Sequence, residues 1–289
     1  MRMIVRGAKL ALMLVVCFAA VAALAQNRKE MKFTVQPGAS LSVINEFGPV
    51  AVRATGGRQV QIVAISHSEK VEIDQNQSGN RVEVRTHLLQ PRLGAEAAKV
   101  AYEVSVPADV AVTVRSATGP ITVERVRGDV TTQSDTADVD IRDVSGAHVH
   151  VRSMSGQVRL ANVSNGHVEI TSVSGPVTMT NVSGPKLEVN TTNGKISYTG
   201  NFANNGEYTF TNHNGDIDVF VPANASVDIS ARSVKGTVEN DLQVAAPKLH
   251  VPGFASQADA GRAFAGTVNN GGSSVQIRSF SGKIRVKKQ

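Results

Sequence analysis

A chain of 289 residues with 19% charged and 41% hydrophobic residues is too apolar for a disordered polyampholyte and too charged for a bundle of membrane spans. Trp is absent and aromatic residues make up 4%, so any core must be built from Val, Ile, Leu and Ala. Arg2, Arg6 and Lys9 lie in a leader expected to be removed; they account for three of the formal net charge of +6, and the remaining +3 is too mild to imply nucleic acid as a partner.

Residues 1–25 read as a secretory signal peptide. A basic start is followed by an apolar stretch from Leu10 to about Ala22, and Ala23-Leu24-Ala25 offers a small-x-small cleavage pattern before Gln26. The apolar run is short of the ~20 residues that cross a bilayer, so no membrane span is expected after cleavage. Cys17 is the only cysteine, and Val16 stands where lipid attachment needs a small residue. The mature chain would then carry no thiol, which excludes disulfides, cysteine nucleophiles and thiolate metal sites. The expected compartment is the periplasm or the extracellular cell surface.

Residues 26–107 form an N-terminal β region that begins the repeat and then turns irregular. The unit Leu41 to Val52 centres on Gly48, and Gln59 to Ile65, Arg81 to Thr86 and Lys99 to Val106 alternate as strands do. Asp74 to Asn80 is polar and turn-like, and Leu88 to Ala98 reads as a longer loop. This region is expected to cover the open strand edges at the N-terminal end of a stack.

Residues 108–289 are dominated by a glycine-centred repeat. Centres fall at 119, 137, 156, 175, 194, 215 and 236, spaced by 18, 19, 19, 19, 21 and 21, with Ala137 in one glycine place and a last copy about Gly282. Within a unit the apolar positions alternate: Val168 and Ile170 point one way and Glu169 the other, and Val177 and Met179 repeat this after the turn. One unit cannot offset its own backbone entropy, so neighbours must close a shared apolar column. The pattern predicts an all-β fold, a parallel β-solenoid of ~19-residue coils stacked ~4.8 Å apart. Val-Pro-Ala at 106 and at 221 leads the chain into a coil in the same way twice. From 237 to 274 the repeat breaks, with a turn signal at Asn269-Asn270-Gly271-Gly272; this reads as an irregular insertion with a hairpin.

Three residues before the centres stand Asn45, Ser116, Ser134, Ser153, Ser172, Thr191, Asn212, Ser233 and Ser279. Strand phase turns them inward at a corner, where they can bond backbone groups; no GxSxG elbow makes any of them a nucleophile. The glycines are expected to supply positive φ at the same corner. These Val-x-Val-x-Ser-x-x-Gly-x-Val-x-Val units resemble the bacterial "putative adhesin" family of exported β-strand repeat proteins, as do the Val-Pro-Ala lead-ins and the closing Ser279-Phe280-Ser281-Gly282-Lys283-Ile284. The resemblance covers most of residues 32–289 and implies a β-solenoid outside the cytoplasm; it transfers no binding residue.

Candidate chemistry is sparse. Aligned columns place His148, His150, His167 and Glu169 as a two-by-two patch on adjacent coils, a very weak candidate for a metal against the reading of a solvated charge ladder. Acid pairs occur at Asp138 and Asp140 and at Asp216 and Asp218, but nothing gathers them into one groove. Tyr198, Tyr208 and Phe210 occupy core columns, and the basic end from Lys283 to Lys288 reads as a solvated terminus. No catalytic set and no cofactor are expected. The expected function is a non-catalytic, exported interaction or scaffold module, adhesin-like, whose partner is an envelope polymer or another envelope protein. The alternatives are a carbohydrate-active solenoid enzyme and a component that senses envelope stress.

Overall fold

The computed structural model describes residues 27–245 and 261–289. The signal-peptide reading, Cys17 included, lies outside the described residues, as does the centre of the 237–274 insertion. Seven strands come first: β1 (Asn27–Thr34), β2 (Ser40–Asn45), β3 (Val50–Thr55), β4 (Gln59–Ser66), β5 (Val71–Ser78), β6 (Arg81–Leu88) and β7 (Val100–Pro107), with one short helix α1 (Ala95–Ala98) before β7. Six regular coils follow as strand pairs: β8 (Ala111–Ser116) and β9 (Ile121–Glu124), β10 (Val130–Ser134) and β11 (Val139–Ser145), β12 (His148–Ser153) and β13 (Val158–Ser164), β14 (His167–Ser172) and β15 (Val177–Val182), β16 (Lys186–Thr191) and β17 (Ile196–Thr199), β18 (Glu207–Asn212) and β19 (Ile217–Val221). The last strands are β20 (Val227–Ser233), β21 (Val238–Asn240), β22 (Ala263–Val268), β23 (Ser273–Ser279) and β24 (Ile284–Lys288).

The expected parallel solenoid is the fold. One twelve-stranded sheet runs β1-β4-β7-β3-β9-β11-β13-β15-β17-β19-β24-β21 and the other β22-β20-β23-β18-β16-β14-β12-β10-β8-β2-β6-β5. Register is set like on like: Val149 pairs with Val168 and Val168 with Leu187. Alternate residues of both sheets turn inward to form one aliphatic core, in which Val149, Val168, Ile170 and Val177 are fully buried. Tyr198, Tyr208 and Phe210 lie in it as expected, joined by Phe202 from the seven-residue connection between β17 and β18 that lengthens this coil.

The inward polar column is buried, and its side chains close the corner. Ser116 Oγ donates to Gly119 O at 2.8 Å, Ser134 Oγ to Ala137 O at 2.6 Å and Thr191 Oγ1 to Gly194 O at 3.0 Å. The glycines serve differently from expectation. Of the column only Gly48 has a positive φ. The others are glycine because stacked corners touch: a Cβ on Gly156 would lie 1.8 Å from Ala137 O, and one on Gly175 1.8 Å from Gly156 O. Left-handed residues occur at another corner instead, at Arg125, Asp143, Asn162 and Asn181, where Asn162 Nδ2 donates to Asp143 Oδ1 and Asn181 Nδ2 to Asn162 Oδ1.

The stack does not follow chain order at its ends. The coil β2–β3 lies between β6–β7 and β8–β9, so the step from β7 to β8 passes over one coil. At the other end β23–β24 lies between β18–β19 and β20–β21, so the step from β19 to β20 also passes over one. These two steps are the Val-Pro-Ala segments. Each makes the same turn, Val110 N donating to Pro107 O and Ala225 N to Pro222 O. The repeated motif therefore marks a skipped coil rather than an ordinary lead-in.

Three of the four sheet ends carry an antiparallel strand; the fourth is β21, parallel to β24. At the N-terminal end β1 pairs with β4, β4 with β7 and β5 with β6. Asp74 to Asn80 is mostly strand, not turn: β5 needs a ladder on one side only, and its outer edge is blunted by polar side chains such as Asp74, which faces His87. At the C-terminal end the antiparallel arm of the insertion is β22 against β20, after which the Asn269–Gly272 turn carries the chain past β20 to β23.

The glycine column yields a test. Gly175→Ala forces a methyl into a backbone carbonyl and is expected to cost about 2–3 kcal/mol in urea denaturation. Gly56→Ala, where a Cβ meets nothing within 4 Å, should stay within about 0.5 kcal/mol. Equal effects at the two positions would contradict the close-contact explanation.

Candidate functional site

Every outward position of a coil repeats ~4.8 Å away on the next coil, so surface chemistry is organised in columns. The histidine patch forms as its spacing predicts: His148 pairs in register with His167 and His150 with Glu169. The rings of His148 and His167 meet edge to face at 5.6 Å. The patch residues also engage neighbours outside it. His148 Nδ1 lies 3.6 Å from Asp129, while His150 Nε2 accepts from Arg152 Nε at 3.2 Å and stands 3.8 Å from Glu169. Among the described residues no group of three or more His, Cys, Asp or Glu is arranged to hold a metal ion.

The acid pairs are engaged by cations. Asp140 accepts from Arg142 Nε at 2.6 Å, and Asp138 Oδ1 accepts the backbone N–H of Gln157 on the next coil at 2.9 Å. Asp216 and Asp218 belong to a larger network that joins four strands. Arg285 donates to Asp218 at 2.7 Å and to Asp216 at 2.9 Å, and Lys195 Nζ reaches the other Asp218 oxygen at 2.7 Å. Lys283 pairs with Glu239 on β21. Burial pushes the Asp218 carboxyl up, but the hydrogen bonds from Lys195 and Arg285 outweigh it and hold the group below its ordinary value. The basic end is therefore part of the sheet, clamping β24 between β19 and β21, not a loose cationic tail.

The network was half legible. Its acids stand out in the sequence, and Lys195 comes from the preceding coil, but Arg285 comes from a coil 67 residues on that only the inserted stacking brings alongside. A wide groove of about 750 Å³ lies beside the first skipped coil, lined by Arg53, Arg125, Arg127 and Asp143 among others. Arg53 there is tied to Glu124 at 2.9 Å. The tyrosines offer no exposed proton donor: burial raises the phenols of Tyr198 and Tyr208, and their hydroxyls donate to Val182 O and Gly184 O. The acids of these columns are thus locally paired with cations.

Among the described residues no helix is long and apolar enough to cross a membrane. The pattern of the Toastrack DUF4097 family matches residues 39–287. No curated protein matches the chain. Solved structures similar to it include a "putative adhesin" from Bacteroides fragilis, at 9% identity over 90% of this chain and 97% of that one, with a TM-score of 0.47. A "putative adhesin" from Parabacteroides merdae is similar at 10% identity over 90% and 95%, TM-score 0.41. A "putative cell adhesion protein" from Clostridium sporogenes is similar at 12% identity over 91% and 100%, TM-score 0.31.

The Asp218 clamp can be tested by pH. Asp218→Asn is expected to cost about 2 kcal/mol at pH 7, since it weakens hydrogen bonds to two charged donors. The folded carboxyl titrates below its unfolded range near ~3.9, so its stabilisation is whole above that range and is lost as pH falls through the folded value. Melting temperatures of the two proteins should differ at pH 7, and the gap should narrow as pH falls below ~3.9 toward pH 3. A gap unchanged across that interval would contradict the clamp.

Proposed function

The chain belongs to the Toastrack DUF4097 family, and on that footing we propose that it is an exported, non-catalytic β-solenoid that acts as an adhesin-like interaction or scaffold module at the cell envelope. The observation that carries this reading is the fate of the acids. Asp216 and Asp218 are spent on arginine and lysine partners from neighbouring coils, and Asp140 on Arg142 of its own strand, rather than aimed at a common point. Most glycoside hydrolases use a pair of carboxyls placed about the scissile bond, one of them free to give a proton. A binding module needs a rigid, repetitive surface, which the stacked columns supply. The leader in residues 1–25 supports a periplasmic or cell-surface location.

The test has two arms. Residues 27–289, which hold every described strand, should be retained on isolated cell-envelope material and should leave envelope polysaccharides at their original chain length. Release of shorter saccharides would favour the carbohydrate-active alternative. A lack of retention on any envelope fraction would overturn the module reading.

A further inference from the structure

Four of the five exposed large hydrophobic side chains among the described residues belong to one corner column. Met154 is 58% exposed, Val173 43%, Val234 52% and Phe280 37%. Each directly follows a residue of the buried hydroxyl-amide column, and their backbones are laddered coil to coil. Met154 N donates to Ser134 O, Val173 N to Ser153 O, Phe280 N to Asn212 O and Val234 N to Ser279 O. In space the column reads Met154, Val173, Thr192, His213, Phe280, Val234, a ridge of six coils about 24 Å long. The inserted coil makes it continuous: Phe280 stacks on His213 at 4.7 Å, and Lys235 sits 4.8 Å over the Phe280 ring.

The flanks of the ridge have one sign. The residues just before and just after the corner in these six coils include Arg152, Arg278, Arg232 and Lys235 and no carboxylate. Arg152 donates to His150 and Arg278 to Gln276, so neither spends its hydrogen bond there on a carboxylate. Two earlier coils carry Glu46 and Asp135 in the same column, so the acid-free stretch coincides with the apolar one. On the inner flank small hydroxyls fold back onto backbone, as Ser174 does onto Met154 O, which leaves the apolar side chains standing proud.

We infer that this ridge docks the solenoid lengthwise on an anionic lipid surface, with the apolar tips entering the headgroup–acyl boundary and Arg152, Arg278 and Lys235 meeting lipid phosphates. Apolar tips framed by cations match an amphiphile whose charge sits beside hydrocarbon. A hydrophilic polyanion would have no use for Met154 and Val173. A second copy would set cations against cations, and four partly exposed side chains fall far short of the ~800 Å² a side that a stable interface buries. The inference rests on the reading of the chain as a binding module and gives that module a partner.

Residues 27–289 avoid the apolar segment at 10–22, which would seek lipid by itself. They should co-sediment with vesicles of phosphatidylcholine containing about 30% phosphatidylglycerol at least 10-fold better than with pure phosphatidylcholine. Two variants change exposed groups only, and their melting curves report folding: Met154→Ser with Val173→Ser, and Arg152→Glu with Arg278→Glu. Each should lower the partition at least 10-fold while the melting temperature holds. Equal sedimentation with neutral and anionic vesicles, or undiminished binding by either variant, would overturn the inference. So would capture by soluble dextran sulfate that ignores the Met154/Val173 change, or a dimer in light scattering that this change dissolves. If the vesicle arm fails while retention on envelope material persists, the module reading stands and only the lipid partner falls.

Discussion

Parallel backbone ladders hold successive coils ~4.8 Å apart, and that spacing constrains the rest of the molecule. At the corners it brings one coil's backbone against the carbonyl below, leaving no room for a side chain: hence glycine at 156, 175, 194 and 282. It also leaves corner carbonyls in need of a donor inside the core, and Ser116, Ser134 and Thr191 supply one three residues upstream. Pattern, packing and polar satisfaction thus share one cause. The same spacing turns any outward position into a column, so that a modest preference at one position becomes a surface.

The ladder also frees the stack from chain order. A coil bonds to whichever strands lie at ~4.8 Å, whether the neighbouring coil is 19 residues or 67 residues away. Both ends use this freedom, and the Val-Pro-Ala turns are the places where the chain steps over a coil. At the C-terminal end the consequence is an ion network, Arg285 between Asp216 and Asp218, that ties the last strand into the interior of the sheet instead of leaving it at an exposed edge. The continuity of the apolar corner ridge has the same origin, because Phe280 fills the gap between His213 and Val234.

Much of this was legible in the residues. Val-x-Val alternation and glycine spacing lead directly to parallel coils, because burial of every second residue leaves few other arrangements. The inward column and the two-by-two histidine patch follow from register alone. What could not be read was anything that depends on which coil neighbours which: the partners of Asp216 and Asp218, and the meaning of the prolines at 107 and 222. The conformation of the glycines was misjudged for a different reason. Positive φ is a local property, whereas Gly156 and Gly175 answer to a contact with another coil. Polar Asp74 to Asn80 hid a strand because an edge strand need not bury its side chains. The ridge itself carries a weak signal, an apolar residue directly after the corner serine, which acquires weight only when the columns are aligned.

The central claim is that ladder pairing, not chain order, sets the neighbours at the C-terminal end. Residues 27–289 contain no cysteine, so two can be placed at will. Thr209 and Gln276 are register partners on touching coils, whereas Thr209 and Ser230 lie two coils apart, about 9.6 Å. Under mild oxidation Thr209→Cys/Gln276→Cys should close a disulfide in the folded protein, and Thr209→Cys/Ser230→Cys should stay reduced, since Cα atoms more than ~7 Å apart cannot be bridged. The reverse outcome would mean that the coils stack in sequence, and the continuous ridge and the Arg285 clamp would both be lost.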